Sequence, residues 1–180
     1  DDANQLSGYK PSNYLSFYLG KLSLGDLFDN NEFSNSPRTQ FLNWGLMNNG
    51  AWDYAANVRG YTYAFVAEAQ IRQMNYKIAL ATLPTYANGP DLNTDLSEAY
   101  AINAEIGRNF GAADKKGHIK LLAYYNNANM GNYNQAIHEA HTDTPDITNT
   151  RRDGRTKFGL GLNFDKQLNG METELHEWKK

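Results

Sequence analysis

The sequence predicts an all-β fold, an antiparallel transmembrane β-barrel, on three observations. Six segments of about ten residues alternate apolar and polar side chains, as a strand does when its two faces meet different surroundings. Short turns and long polar loops alternate between these segments, which is the arrangement of membrane barrels. No apolar run approaches the roughly 18 residues that a membrane-spanning helix requires, and the mean hydropathy is -0.69, because alternating strands average out as polar.

The first predicted strand covers residues 13–24. Leu15, Phe17 and Leu19 share one face of it, and smaller or polar side chains share the other. Residues 29–38, rich in Asn and Ser, then predict a loop. The following residues, 41–49, fit either a short helix or an irregular loop element, so both remain open.

Residues 60–72 and 73–83 predict a β-hairpin. In the first strand, apolar side chains such as Tyr61, Tyr63 and Phe65 occupy alternate positions. In the second strand the alternation continues with its phase swapped, which requires a tight turn near residues 72–75.

The second half of the chain continues the series of alternating strands and loops. Its predicted strands cover residues 98–110, 118–127 and 155–165. Its predicted connections are a loop at 84–97, a turn at 111–117 and the longest loop at 128–153.

A helical alternative exists for part of this region. Residues 67–83 and 99–110 are rich in helix formers and also place apolar side chains at helical spacing. Each segment taken alone fits a helix as well as a strand. Six alternating segments in series favour the β interpretation.

Composition excludes several classes of function. The net charge is -3 and the chain has no Cys, so thiolate metal sites, disulfides and Cys nucleophiles are excluded. Lys and Arg form no basic patch, and we therefore expect no nucleic-acid partner.

Motifs of catalysis or cofactor binding are also missing from the sequence. His138 and His141 stand at i, i+3 spacing in a predicted loop, unlike the i, i+4 spacing of a zinc-protease helix. Gly159 and Gly161 lack the third glycine of a dinucleotide fingerprint. We expect no enzymatic activity, no metal and no cofactor.

The polar rows of the six strands are the candidate functional surface. Amides and charged groups bind sugar hydroxyls, and aromatic rings stack on the C–H faces of sugars, so such a wall could line a channel for sugars and ions. The candidate lining residues are Glu68, Gln70, Arg72, Asn75, Lys77, Asn103, Glu105, His118, Lys120, Tyr124, Lys157 and Asn163. Alternatively, these are surface groups of a soluble β-rich sugar-binding or surface-interaction domain, whose apolar rows pack against a second sheet.

Four stretches of the chain carry a family resemblance. They are GKLSLGDLFDNN (20–31), FLNWGLMNNGAWDYAANVRGYT (41–62), NANMGNY (127–133) and TPDITNTRRDGRTKFGLGLNF (144–164). Together they resemble the carbohydrate-selective porins of Gram-negative outer membranes, the OprB type. The likeness covers part of a full-length member.

The resemblance implies a monomeric barrel of the 16-stranded type in the Gram-negative outer membrane, in contact with its lipid, that passes mono- or oligosaccharides passively. Residues 1–168 would supply about six of its strands, and residues 169–180 would form a charged tail that does not match. An open sheet leaves its edge amides unsatisfied in lipid, so we expect an additional chain or further residues to close the barrel.

The resemblance also implies two groups of site residues. The segment around Trp44 and Trp52, with Asp26 and Asp53, would be a loop element at the channel or its mouth. Arg59 would point into the channel.

Overall fold

The computed structural model describes residues 11–31, 33–111, 116–140 and 144–167. About half of these residues belong to seven β-strands. The strands are β1 (Tyr14–Leu22), β2 (Thr62–Ile71), β3 (Met74–Pro84), β4 (Leu92–Asn93), β5 (Tyr100–Phe110), β6 (Gly117–Met130) and β7 (Arg152–Lys166).

The strands form one antiparallel sheet in the order β1-β2-β3-β5-β6-β7, and the short β4 pairs with β3 off this path. In the part of the chain that the structure describes, the sheet is open, with β1 and β7 at its edges. All six predicted strands are confirmed. The helical alternative for residues 67–83 and 99–110 is wrong, because these residues lie mainly in β2, β3 and β5.

The predicted loops contain more structure than expected. The loop at 84–97 includes β4, and the loop at 128–153 is shortened because β6 continues to Met130 and β7 begins at Arg152. It also contains helix α2 (Tyr133–Glu139). A four-residue helix, α1 (Trp44–Met47), occupies the stretch for which a helix or a loop element was expected.

The two ends of the sheet differ in the length of their connections. At one end β2 turns directly into β3 through Arg72, which has a φ of 55°. At the opposite end, called here the long-loop end, the strands are joined by the connections 23–61, 85–99 and 131–151, of which the structure describes all but residues 32 and 141–143. Short turns at one end and long loops at the other are typical of membrane barrels.

Apolar side chains of neighbouring strands line up on one side of the sheet, called here the outer face. One row joins Phe65, Leu80, Ile102, Tyr125 and Phe158 across five strands. These side chains are exposed, from 37% for Tyr125 to 80% for Phe158. No second sheet covers this face among the described residues, as the soluble alternative would require.

Residues 24–57, called here the inner segment, cover the opposite side of the sheet, the inner face. Leu24, Phe28, Trp52 and Ala55 are buried in one cluster with small or medium side chains of the strands. These strand residues are Ala64, Val66, Ala79, Ala81, Leu83, Ala101, Leu122, Ala128 and Met130, and Ala99, just before β5, belongs to the same cluster. Part of the inner face is therefore a buried apolar cluster beneath the inner segment. Alternation did not predict this cover, because it distinguishes two faces but does not reveal what covers either.

None of the helices in the described ranges is long and apolar enough to cross a membrane. The predicted tail at 169–180 lies outside the described residues, and the division at residue 168 stays a prediction.

Candidate functional site

The inner segment runs along most of the length of the inner face. From the end of β1 it reaches Asn30 and Asn31, whose partners lie only a few residues from the short-turn end. The Lys120 ammonium donates to the Asn30 carbonyl oxygen, and Asn31 Nδ2 donates to Asn163 Oδ1 at 2.8 Å. The segment then returns towards the long-loop end and β2.

A row of charges crosses the inner face beneath this segment. Glu68, Lys77 and Glu105 are in register on β2, β3 and β5. Lys77 Nζ lies 3.1 Å from Glu105 Oε1, and these two side chains are only 11% and 2% exposed. Lys77 also donates to the carbonyl oxygen of Leu27. A buried ion pair is stable only when its remaining hydrogen-bonding capacity is satisfied, and here backbone groups of the inner segment satisfy it.

Asp29 is the most constrained residue of the inner segment. It has a φ of 55°, and it is 2% exposed. Its backbone N–H donates to Glu105 Oε2 at 2.7 Å, and its carboxylate accepts from the backbone N–H of Asn49. Burial raises the pKa of the Asp29 carboxyl, an effect that the Asn49 hydrogen bond opposes. Asp29 thus connects both arms of the inner segment to the charge row.

Trp52 anchors the returning arm in the apolar part of the interface. Its indole Nε1–H donates to Asn103 Oδ1 at 2.9 Å, and Asn103 is fully buried on β5. Among the described residues this amide oxygen is the hydrogen-bond partner of the indole, so the hydrogen bond fixes the ring in a cluster that is otherwise apolar.

The end of the returning arm contacts β6 and β7. Tyr124 donates its hydroxyl to the carbonyl oxygen of Ala51 at 2.9 Å. Asn126 Nδ2 donates to the carbonyl oxygen of Asp53 at 2.6 Å. Lys157 Nζ lies 3.1 Å from Asp53 Oδ2, and both side chains are partly exposed. Three residues of the inner face therefore hold the segment at Ala51 and Asp53.

The two glycines of β7 make room for these contacts. A Cβ atom at Gly159 would lie 2.6 Å from the ring of Tyr124, and one at Gly161 would lie 2.5 Å from Asn49 Nδ2. Glycine is the residue that permits such an approach. Gly159 and Gly161 do not form a dinucleotide-binding motif. The close packing of Tyr124 and Asn49 against β7 explains why these two positions are glycine.

Four aromatic rings connect the core to the surface. Phe28, Trp52, Tyr54 and Trp44 follow one another at centroid distances of 6.3, 5.2 and 5.6 Å. The last ring, that of Trp44, is 59% exposed. Burial, followed by the charge of Asp26, raises the pKa of the Tyr54 hydroxyl.

A second polar group lies near the β2–β3 turn. Glu68 accepts hydrogen bonds from the Tyr14 and Tyr18 hydroxyls at 3.0 and 2.9 Å, and from Asn75 Nδ2 at 3.0 Å. Asn75 Nδ2 also lies 3.1 Å from Gln70 Oε1. The predicted residue Arg72 is exposed in the turn itself.

The remaining predicted residues lie apart from these groups. His118 Nδ1, at the start of β6, is 2.6 Å from Asp165 Oδ1 near the end of β7. Arg59 is exposed at the long-loop end, and its backbone N–H donates to Asn57 Oδ1 at 3.0 Å. Asp26 is exposed and contributes its carbonyl oxygen to Asn30 Nδ2. The structure does not bring Arg59 and Arg72 together, since they lie at opposite ends of β2.

The sequence did not single out several residues of this interface. Asp29, Asn31 and Asn49 lie in loops, where no periodicity marks the residues that turn towards the sheet. Asn126 and Arg155 could have been found, because each occupies the inner-face row of a predicted strand, Asn126 in the strand at 118–127 and Arg155 at the first position of the strand at 155–165.

Metal-binding groups are not assembled in the described ranges, which contain no cluster of three or more His, Cys, Asp or Glu side chains suited to a metal ion. His138 is exposed on α2. His141, its partner in the sequence motif, lies outside the described residues.

Comparison with known proteins connects this arrangement with one family. No curated protein and no solved structure gave a significant match. Residues 4–177 match the carbohydrate-selective porin, OprB family. Porins of this family are not enzymes. The match covers nearly the whole sequence, and the chain therefore belongs to the OprB family of carbohydrate-selective porins.

Proposed function

We propose that this chain forms part of the wall of a passive sugar channel in the bacterial outer membrane. In this proposal β1 and β7 pair with further strands, supplied by additional residues or by another chain, and the sheet closes into a barrel of the 16-stranded type. The outer face contacts lipid, and the inner face with the inner segment borders the water-filled channel.

The contrast between the two faces is the observation that supports the proposal. Leu19, Phe158 and Leu160 on the outer face are 83%, 80% and 71% exposed, and such a broad apolar surface is costly in water. On the inner face, by contrast, charged and amide groups make hydrogen bonds. A strand with these two faces suits a barrel between lipid and water.

The inner segment narrows the channel in this proposal. Lys77, Lys120 and Asn103 anchor the segment to the wall, and the groups towards its surface meet the sugar. Lys157 and Asp53 offer charged hydrogen-bonding groups, and the exposed ring of Trp44 offers a stacking face for the C–H groups of a sugar.

A liposome-swelling assay tests the proposal. The full natural protein, reconstituted into liposomes, should admit glucose quickly and larger oligosaccharides progressively more slowly. Liposomes without protein provide the baseline. Protein that is folded and inserted but admits no sugar above this baseline would contradict the proposal.

A further inference from the structure

A cavity of about 610 Å³ lies beside the inner face at the long-loop end. Its volume is within the range of small-molecule sites. Its lining includes Asn132, Tyr133, Asn134, Arg155, Thr156 and Lys157. Amide and hydroxyl groups of this kind suit sugar hydroxyls, and the Tyr133 ring, 70% exposed, is available for stacking.

The charges around the cavity are not balanced. Among the described residues that line it, two are cations and none is a carboxylate. Lys157 is paired with Asp53 at 3.1 Å. Arg155 donates only to the neutral amide oxygen of Gln135, and its buried Nε has no partner in the described structure.

Two described carboxylates of this region have other partners. Asp153 accepts from Asn129 Nδ2 at 2.7 Å, and Glu139 accepts from Gln135 Nε2 at 2.7 Å. Among the described residues, the guanidinium of Arg155 is therefore a cation without an anionic partner beside an open polar cavity. Arg recognises planar carboxylates through charge-assisted hydrogen bonds.

We propose that this cavity is a binding subsite for acidic saccharides. In it the guanidinium of Arg155 neutralises the charge of the sugar carboxylate, and the ring of Tyr133 stacks on the sugar ring. The inference rests on the proposed channel function and adds a substrate class to it. It predicts that sugar acids bind more tightly than the neutral sugars of the same stereochemistry.

Current block in planar bilayers tests this inference with galacturonate and galactose as probes. The full natural protein should be blocked by galacturonate at a lower concentration than by galactose. Arg155→Gln should weaken galacturonate block by on the order of tenfold, the contribution of one charge-assisted hydrogen bond, and should weaken galactose block by much less, because a neutral sugar does not use the charge. Arg155→Lys should retain most of the preference, because it keeps the charge.

Two control variants separate the effect of the Arg155 charge from the effect of its hydrogen bond to Gln135 of α2. Arg152→Gln removes an exposed cation of the same strand that does not line the cavity, and the preference should stay. Gln135→Ala breaks the same contact to α2 but keeps the guanidinium, and the preference should also stay. Equal losses in Gln135→Ala and Arg155→Gln, or a wild-type channel without preference, would overturn the inference. Absence of conductance with every sugar would instead contradict the channel function.

Discussion

Glu105 accepts a hydrogen bond at 2.7 Å from the backbone N–H of Asp29, a residue 76 positions earlier in the chain. The same carboxylate group pairs with Lys77, which donates to the carbonyl oxygen of Leu27. One ion pair of the sheet thus binds both a donor and an acceptor of the inner segment. The position of this segment, and with it the width of the proposed channel, depends on Glu105.

Glu105→Ala should destabilise the protein by about 3–5 kcal/mol, because it leaves the Lys77 ammonium and the Asp29 N–H without their buried acceptor. Urea unfolding in detergent, followed by tryptophan fluorescence, measures this change. The control Glu98→Ala removes an exposed carboxylate whose described partner is Asn93 and should change the free energy of unfolding by less than about 1 kcal/mol. Similar effects of both variants would refute the anchoring role.

Trp52→Phe should cost about 1–3 kcal/mol, because the ring would keep its apolar contacts while the carbonyl oxygen of buried Asn103 loses its donor. Trp44→Phe is the matched control, since Trp44 is 59% exposed and stacks on Tyr54. It should leave the unfolding free energy nearly unchanged. If the two variants were equally stable, the indole hydrogen bond would not contribute.

The buried carboxyl of Asp29 predicts a pH effect on stability. Burial raises its pKa above the ordinary value of 3.8. The stability that it contributes is therefore fully present below the unfolded-state pKa and is lost as pH rises through the folded-state pKa. Asp29→Asn cannot ionise, so the unfolding free energy of this variant minus that of the wild type should increase with pH across this window. A constant difference would show that Asp29 has the same pKa in both states.

Phe17→Lys tests the lipid contact of the outer face. Phe17 is 62% exposed and lies in the row with Ala67 and Leu160. In a bilayer a lysine at mid-depth should cost about 2–4 kcal/mol, whereas in water the loss of an exposed ring would cost little. Ser16→Lys, the neighbouring position on the inner face, should be tolerated because it places the ammonium opposite Glu68. Equal tolerance of both lysines in lipid would contradict the face assignment.

Periodicity predicted the strands well because each strand has one apolar face. The strand predicted at residues 60–72 is observed as Thr62–Ile71, and that at 13–24 as Tyr14–Leu22. Helix α2 was missed although a local signal exists: Asn132 accepts from the backbone N–H of Gln135, an N-cap that the Asn-x-x-Gln spacing permits.

The inner segment could not be derived from periodicity. Its anchors join residues far apart in the chain, such as Leu27 with Lys77 and Asn30 with Lys120. No local pattern states which face of a sheet a loop will cover. The dry core around Phe28 and Val66 is therefore a result of tertiary packing, and the roles of the remaining predicted channel residues stay predictions.

Quenching by spin-labelled lipids tests the central claim most directly, namely that the outer face contacts lipid and the inner face does not. The chain has no cysteine, so single cysteines can carry a fluorophore at Leu160 and Leu162 on the outer face and at Lys157 and Asn163 on the inner face. In reconstituted protein, lipid nitroxides should quench the probe strongly at residues 160 and 162 and weakly at residues 157 and 163. Uniform quenching at the four positions, or stronger quenching at residues 157 and 163, would contradict the account.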